Sequence, residues 1–257
     1  MTDAQTRPPP EHAIAAWGVR KTFGTTVAAD SVDLAVPRGA LFGLVGPNGA
    51  GKTTFLRAAT GLLRPDSGQV FVEGVEVWED PVAARSIVGV LPEDPRLFDR
   101  LSGMQLLTYT GQLFGLTRES ARARATELLN VLELSPDAGT LVVDYSQGMR
   151  KKIGLAAAMI HGPRVLFLDE PFESVDPVSA RTIRGLLQQH VDNGGTIVLS
   201  SHVMELVERL CDHLGVIHQG RVVAQGPTEE VRGGRRLDEV FADLVDAEQG
   251  EIGLSWL

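Results

Sequence analysis

The sequence predicts an α/β protein: a largely parallel, buried core sheet flanked by helices and interrupted by an inserted helical subdomain. Three observations carry this. ALFGLVG at 40–46, RVLFLD at 164–169 and TIVLSS at 196–201 are short, near-continuous apolar runs, the signature of strands buried on both faces. Segments of helical spacing lie between such runs, and a strand–helix–strand alternation favours parallel pairing through helical crossovers. Across 102–160 the strand texture stops, and three successive segments with helical apolar stripes follow before strands return.

In chain order, residues 1–12 are expected to form a flexible polar tail. AIAAWGV and SVDLAV, within 13–36, are β-rich with alternating character and predict an N-terminal antiparallel β region. The strand at 40–46 feeds a helix over 51–63, with Phe55, Leu56, Ala59, Leu62 and Leu63 on one side. QVFVEGVEV (69–77) and SIVGVL (86–91) read as strands. The helical subdomain, over about 95–162, contains MQLLTYTGQLFGL, ESARARATELLNVLEL and MRKKIGLAAAMI. Strands return at 164–169, 196–201, 214–219 and 221–226, and SARTIRGLLQQHV forms a helix between two of them. The main domain thus covers 13–226. A C-terminal extension, 227–257, carries the amphipathic helix LDEVFADLVDA.

The chain has 257 residues, 43% of them hydrophobic, with a formal charge of −9 and a pI near 5.2. That length supports one large domain, or one with a subdomain. The acidic balance argues against a nucleic-acid partner and equally serves solubility. Cys211 is the single cysteine, which leaves no internal disulfide, fits a reducing compartment and reads as a small core residue. MTDAQTRPPP lacks the apolar run of a signal peptide, and no stretch approaches the roughly 18 apolar residues that cross a bilayer. Work at a membrane would need another chain to supply the span.

GPNGAGKTT fits the phosphate-loop pattern G-x-x-x-x-G-K-[ST] between a strand and a helix. Its residues are Gly46, Pro47, Asn48, Gly49, Ala50, Gly51, Lys52, Thr53 and Thr54. Glycines let backbone N–H groups turn inward around phosphate oxygens, and the helix points its positive end at the same oxygens. Lys52 suits the β and γ phosphates, and the Thr53 hydroxyl suits Mg²⁺. These residues make ATP and Mg²⁺ the expected cofactors.

In VLFLDEP, Asp169 closes a strand at the end where ligands gather in open α/β sheets. A carboxylate there suits Mg²⁺, and Glu170 beside it suits a general base acting on water. An acidic loop capping a helix after Pro171 would read the same way. His202 lies just past the strand TIVLSS, where an imidazole can sense a γ-phosphate; alone it reads equally as structural. The other histidines have no metal-ligand spacing with carboxylates or Cys211, so no zinc site is expected. YSQGMRKK poses a puzzle. Ser146 reads as a helix start, yet Arg150, Lys151 and Lys152 follow, the wrong sign for a helix N-terminus.

The order of phosphate loop, helical insert, YSQGM, VLFLDEP, SVDP and SSH resembles the ATP-binding cassette (ABC) ATPases, the nucleotide-binding subunits of ABC transporters. The resemblance covers about 13–226 and implies a P-loop NTPase of ABC ATPase type, with a mixed core sheet. It implies two subunits sandwiching two ATP molecules, each between one phosphate loop and the other subunit's signature segment. YSQGM stands for the family's LSGGQ: Ser146 and Gly148 match, whereas Tyr145, Gln147 and Met149 depart from it. The resemblance makes Asp169 the Mg²⁺ carboxylate, Glu170 the catalytic base, His202 the switch histidine and Asp176 the residue speaking across the dimer. Ser174 stands where the family usually has Gly. Phe23 corresponds to the aromatic that stacks on adenine, although a lone aromatic is also an ordinary core residue. Glu93, in GVLPEDP, takes the place of the family's metal-side Gln and adds negative charge there.

The departures resemble an exporter branch whose membrane subunits are separate chains. The implied protein is an ATPase that dimerises on ATP, with itself or a related cassette, to drive a transmembrane permease subunit from the cytoplasmic face of the membrane. The loop over 92–102 is the expected docking surface, with Leu97 and Phe98 either entering the partner or belonging to the subdomain core. At YSQGMRKK, the γ-phosphate held by the opposite subunit would offset the three cations, part of which would otherwise form a solvated face. A soluble ABC ATPase acting on a non-membrane partner is the alternative, and a non-hydrolysing nucleotide sensor a third reading.

Overall fold

The computed structural model describes residues 11–246. The N-terminal runs are longer than their sequence signals. β1 (His12–Phe23) and β2 (Thr26–Pro37) form an antiparallel pair, and β1 starts inside the expected tail, whose first ten residues lie outside the described region. β3 (Leu41–Val45) runs into α1 (Lys52–Ala59). The segment expected as one strand over 69–77 is instead a hairpin, β4 (Ser67–Val72) and β5 (Val75–Glu76), because Glu73 and Gly74 both take positive φ at its turn. β4 also pairs with β1, completing a four-stranded antiparallel sheet in the order β2-β1-β4-β5.

α1 stops short of the expected residue 63. The Thr60 hydroxyl donates back to the carbonyls of Leu56 and Arg57, and Gly61 turns left-handed at φ 71. Leu62 is consequently exposed rather than packed. A short helix that the apolar pattern did not signal, α2 (Pro81–Ser86), is capped by Asp80 and precedes β6 (Val88–Leu91).

The helical insert follows as α3 (Gly103–Leu113), α4 (Arg118–Val131) and α5 (Gln147–Met159), with a 3-10 turn at Val142–Asp144. The chain then returns through β7 (Val165–Asp169), α6 (Pro177–Asp192), β8 (Thr196–Ser201), α7 (Met204–Leu210), β9 (His213–His218) and β10 (Arg221–Pro227). α8 (Thr228–Arg232) and α9 (Leu237–Asp246) end the described chain. The core sheet has six strands in the order β10-β9-β3-β8-β7-β6. All its pairs are parallel except β10 with β9, so the largely parallel expectation holds with one antiparallel edge.

Two-residue periodicity divides the core. On β3, Leu41 and Val45 face one hydrophobic cluster while Phe42 and Leu44 face the other. On β7, Leu166 and Leu168 oppose Val165 and Phe167 in the same way. One cluster is shared with the antiparallel sheet and α1, the other with the helical insert, α6 and α7. Both faces are covered, which is why these strands read as unbroken apolar runs.

α5 seats directly on β6. A Cβ on Gly89 would stand 2.1 Å from the Ala158 carbonyl oxygen and 2.7 Å from Leu166 Cδ2. Gly89→Ala is therefore expected to destabilise the fold by about 3 kcal/mol through overpacking, read as a lowered urea midpoint at unchanged slope.

Candidate nucleotide site

The β3–α1 turn is built to hold an anion. α1 begins at Gly51 with no side-chain cap and no acid in its first turn, so its leading N–H groups stay available. Gly51 takes φ 107, and a Cβ there would stand 2.3 Å from the Ala28 carbonyl oxygen; only glycine fits. Lys52 is 6% exposed, and its Nζ donates to the carbonyls of Gly46 (2.8 Å) and Pro47 (3.1 Å). Ala50 is buried and closes the loop with a hydrogen bond to Pro47. Burial pulls the Lys52 ammonium below its ordinary pKa, while Glu170, Asp169 and Glu93 oppose that shift.

This loop floors a cleft of about 370 Å³. Asn48, Gly49, Gly51, Lys52, Thr53 and Thr54 line it from below, with Asp169, Glu170 and His202 entering from the strand ends. Glu93 borders it from the loop after β6. Phe23 stands at its rim, half-exposed, with Lys21 Nζ 5.8 Å from the ring centroid.

The carboxylates are held individually. Ser200 Oγ donates to Asp169 Oδ1 at 2.5 Å and accepts from the Glu170 backbone N–H at 3.0 Å. Glu170 takes a left-handed backbone, φ 48, a conformation a non-glycine residue adopts only under constraint. Its Oε1 lies 2.9 Å from His202 Nδ1 and 4.0 Å from Lys52 Nζ.

The remaining sequence candidates stand apart from this cleft. Ser146 is exposed and N-caps α5, its Oγ accepting from the Met149 N–H at 3.3 Å. Gly148 packs beside the turn before α6, where a Cβ would lie 3.3 Å from the Ser174 carbonyl oxygen. Ser174, at the usual glycine position, keeps a positive φ of 60. Asp176 caps α6, and the hydroxyl and amide of Ser179 hold its carboxyl below the usual range.

The three cations correct an expectation: each finds a partner within its own subunit. Arg150 donates to Asp99 at 2.8 Å and to the Val142 carbonyl at 3.0 Å. Lys151 Nζ donates to the Glu93 carbonyl at 2.7 Å, and Lys152 Nζ to Ser179 Oγ at 3.2 Å. Lys151 and Lys152 are buried, so they are no solvated face. With Ser146 as the cap, they also fall beyond the first helical turn, where the macrodipole penalty fades. Tyr145 leaves the pattern for a packing reason: its ring is buried and its hydroxyl donates to the Asp137 carbonyl at 2.8 Å.

Sequence reasoning missed Ser200, Ala28 and Glu173. Ser200 lay inside TIVLSS, where its hydroxyl at a strand end was the only signal. Ala28 reaches the cleft wall through the antiparallel sheet, and Glu173 through the turn after Glu170. No long-range contact of this kind has a local pattern.

A phosphate loop after β3, an acidic pair after β7, a histidine after β8 and a helical insert between them define a nucleotide-hydrolysing P-loop protein. The chain belongs to the ABC transporter family, whose profile matches residues 29–173, and it is an ATP-binding, ATP-hydrolysing subunit of that class. It is 39% identical over 244 residues to the daunorubicin resistance ATP-binding protein DrrA3 of Streptomyces coeruleorubidus, covering 94% of this chain and 76% of that one. It is 35% identical over 211 residues to the linearmycin resistance ATP-binding protein LnrL of Bacillus subtilis, covering 82% and 68%. A solved ATP-binding subunit of an ABC transporter superposes with a TM-score of 0.85 at 27% identity, covering 91% and 99%.

Proposed function

We propose that this chain works as a dimer of cassettes that powers export through a separate transmembrane permease, peripheral on the cytoplasmic face of the membrane. One observation carries the reading. The cleft holds every group needed to bind ATP on one side, whereas Ser146 and Gly148 lie at the open start of a different helix. A second subunit is the simplest source of the missing wall. Relatives named for drug resistance support the outward direction. Among the described residues no helix is long and apolar enough to span a membrane.

The donor set fits Mg²⁺: the Thr53 hydroxyl, Asp169 and Glu93 are hard oxygen ligands bordering one cleft, and the Ser200 hydroxyl bonds one oxygen of Asp169, Oδ1. When bound, the ion offsets charge on the β and γ phosphates. Glu170 takes the proton of the attacking water as the new O–P bond forms and the bond to ADP breaks. His202 holds Glu170 and reports the γ-phosphate, Phe23 stacks on adenine, and Asp176 signals across the dimer. Residues 13–226 form the cassette and 227–257 its extension, of which 247–257 lie outside the described residues.

The loop over 92–102 is the proposed docking surface. Leu97 packs partly into the subdomain core while Phe98 is 54% exposed, edge-on to Tyr109, so the pair divides its roles. An adjacent reading frame encoding a protein with about six hydrophobic spans is the expected partner; co-expressed with it, the chain is expected to co-purify in mild detergent, and Phe98→Asp to reduce recovery. Failure of the unaltered pair to associate would sink the transport reading and leave the soluble alternative.

A further inference from the structure

The acidic residue at position 93 creates an electrostatic problem that the fold answers from an unexpected direction. Glu93, Asp169, Glu170 and Glu173 all border the cleft. Lys52 counters them from below. Lys151 also lies in electrostatic reach of these acids, Glu173 most strongly and then Asp169, Glu93 and Glu170, although it does not line the cleft. It is 5% exposed on α5, and its Nζ is committed to the Glu93 carbonyl oxygen at 2.7 Å. Two turns of α5 grip the same loop. One turn beyond Lys151, a Cβ on Gly154 would stand 2.9 Å from Leu91 Cδ1 and 3.3 Å from Pro95 Cβ, so the helix lies flush against residues on both sides of Glu93.

A buried ammonium is costly unless its hydrogen bonds and charge are both used. Here it ties the loop to the helix and sets a positive charge near the acids that border the cleft, Glu173 first and then Asp169, Glu93 and Glu170. We propose that Lys151 is a positioning residue: it fixes the Glu93 loop on α5 and supplies the charge that lets an acid occupy the metal side of the site. This rests on the metal role given above to Glu93. A consequence is that the loop at one ATP site and the Ser146 face offered to the other move as one body.

The test measures binding of a fluorescent ATP analogue to the isolated chain, titrated with Mg²⁺ and repeated in EDTA, with a melting curve for each variant. Lys151→Met is expected to raise the Mg²⁺ concentration for half-maximal binding about tenfold, and to leave affinity in EDTA within about twofold. Lys151→Arg, which keeps charge and donor, is expected to restore the Mg²⁺ requirement to within about threefold of the unaltered chain. In a Glu93→Gln background the Lys151→Met effect should be smaller, because one of the charges it answers is gone while the tether to the residue 93 carbonyl is lost in both backgrounds. An unchanged Mg²⁺ requirement, or the same shift with Gln at 93, would overturn the proposal. A lowered melting temperature without a Mg²⁺ shift would make Lys151 merely structural, which also overturns it. If Lys151→Met does not fold, Lys151→Gln carries the same comparison. Nucleotide-driven dimerisation, followed separately by gel filtration, reports on the proposed function independently.

Discussion

Glu170→Gln is expected to lower kcat for ATP hydrolysis by about a thousandfold while nucleotide affinity is retained, so that an ATP-bound dimer accumulates on gel filtration. The amide is isosteric, so the β7 end and the Ser200 bond to the Glu170 backbone survive. It cannot accept the water proton. It also removes one of the negative charges bordering the phosphate site, which favours the ATP-bound state over the empty one. Its Oε1 lies 2.9 Å from His202 Nδ1, and Lys52 Nζ donates to the Gly46 and Pro47 carbonyls. Undiminished hydrolysis by the variant would remove Glu170 from the role of base.

Ser146→Arg is expected to leave ATP binding to the isolated chain within about twofold and to abolish nucleotide-driven dimerisation, with hydrolysis falling about a hundredfold. Ser146 is exposed and outside the cleft of its own subunit, so a local binding defect has no route. The substitution also removes the N-cap of α5, at about 1 kcal/mol. Ser146→Ala loses the same cap without adding bulk and is the control. Equal loss of dimer in both variants would assign the effect to the cap, and a dimer that survives Arg would place the Ser146 face outside the interface. Monomeric ATP binding, measured by fluorescence, must stay intact for the comparison to hold.

Much of this was legible because the site is assembled from strand ends. β3, β7 and β8 are buried on both faces, and each announces itself as an apolar run whose last residues fall at one edge of the sheet. Parallel pairing of β3 with β8 and β8 with β7 then brings Gly46, Asp169 and His202 together without further instruction. The helical insert was legible for the same reason, since apolar stripes survive in α3, α4 and α5. Boundaries were less so. α1 ended at a threonine whose hydroxyl turned back on the helix, and β4 and β5 were read as one strand because the apolar alternation continues through the turn.

The cations at 150–152 mark the limit most clearly. Their sequence suggested charge waiting for a phosphate, yet Arg150, Lys151 and Lys152 meet Asp99, Glu93 and Ser179, residues 51, 58 and 27 positions away along the chain. Successive helix positions turn by about 100°, so three neighbours in sequence face three different directions, and only packing decides what each one meets.

The sequence by itself determined the chemistry: a phosphate loop, an acid pair and a histidine, each at the end of a strand whose apolar run fixes its burial. Only the tertiary structure decided how those groups are held. Ser200 fixes Asp169, His202 holds Glu170, and Lys151 stands behind Glu93, because side chains far apart in sequence meet only where the sheet and the insert pack against each other.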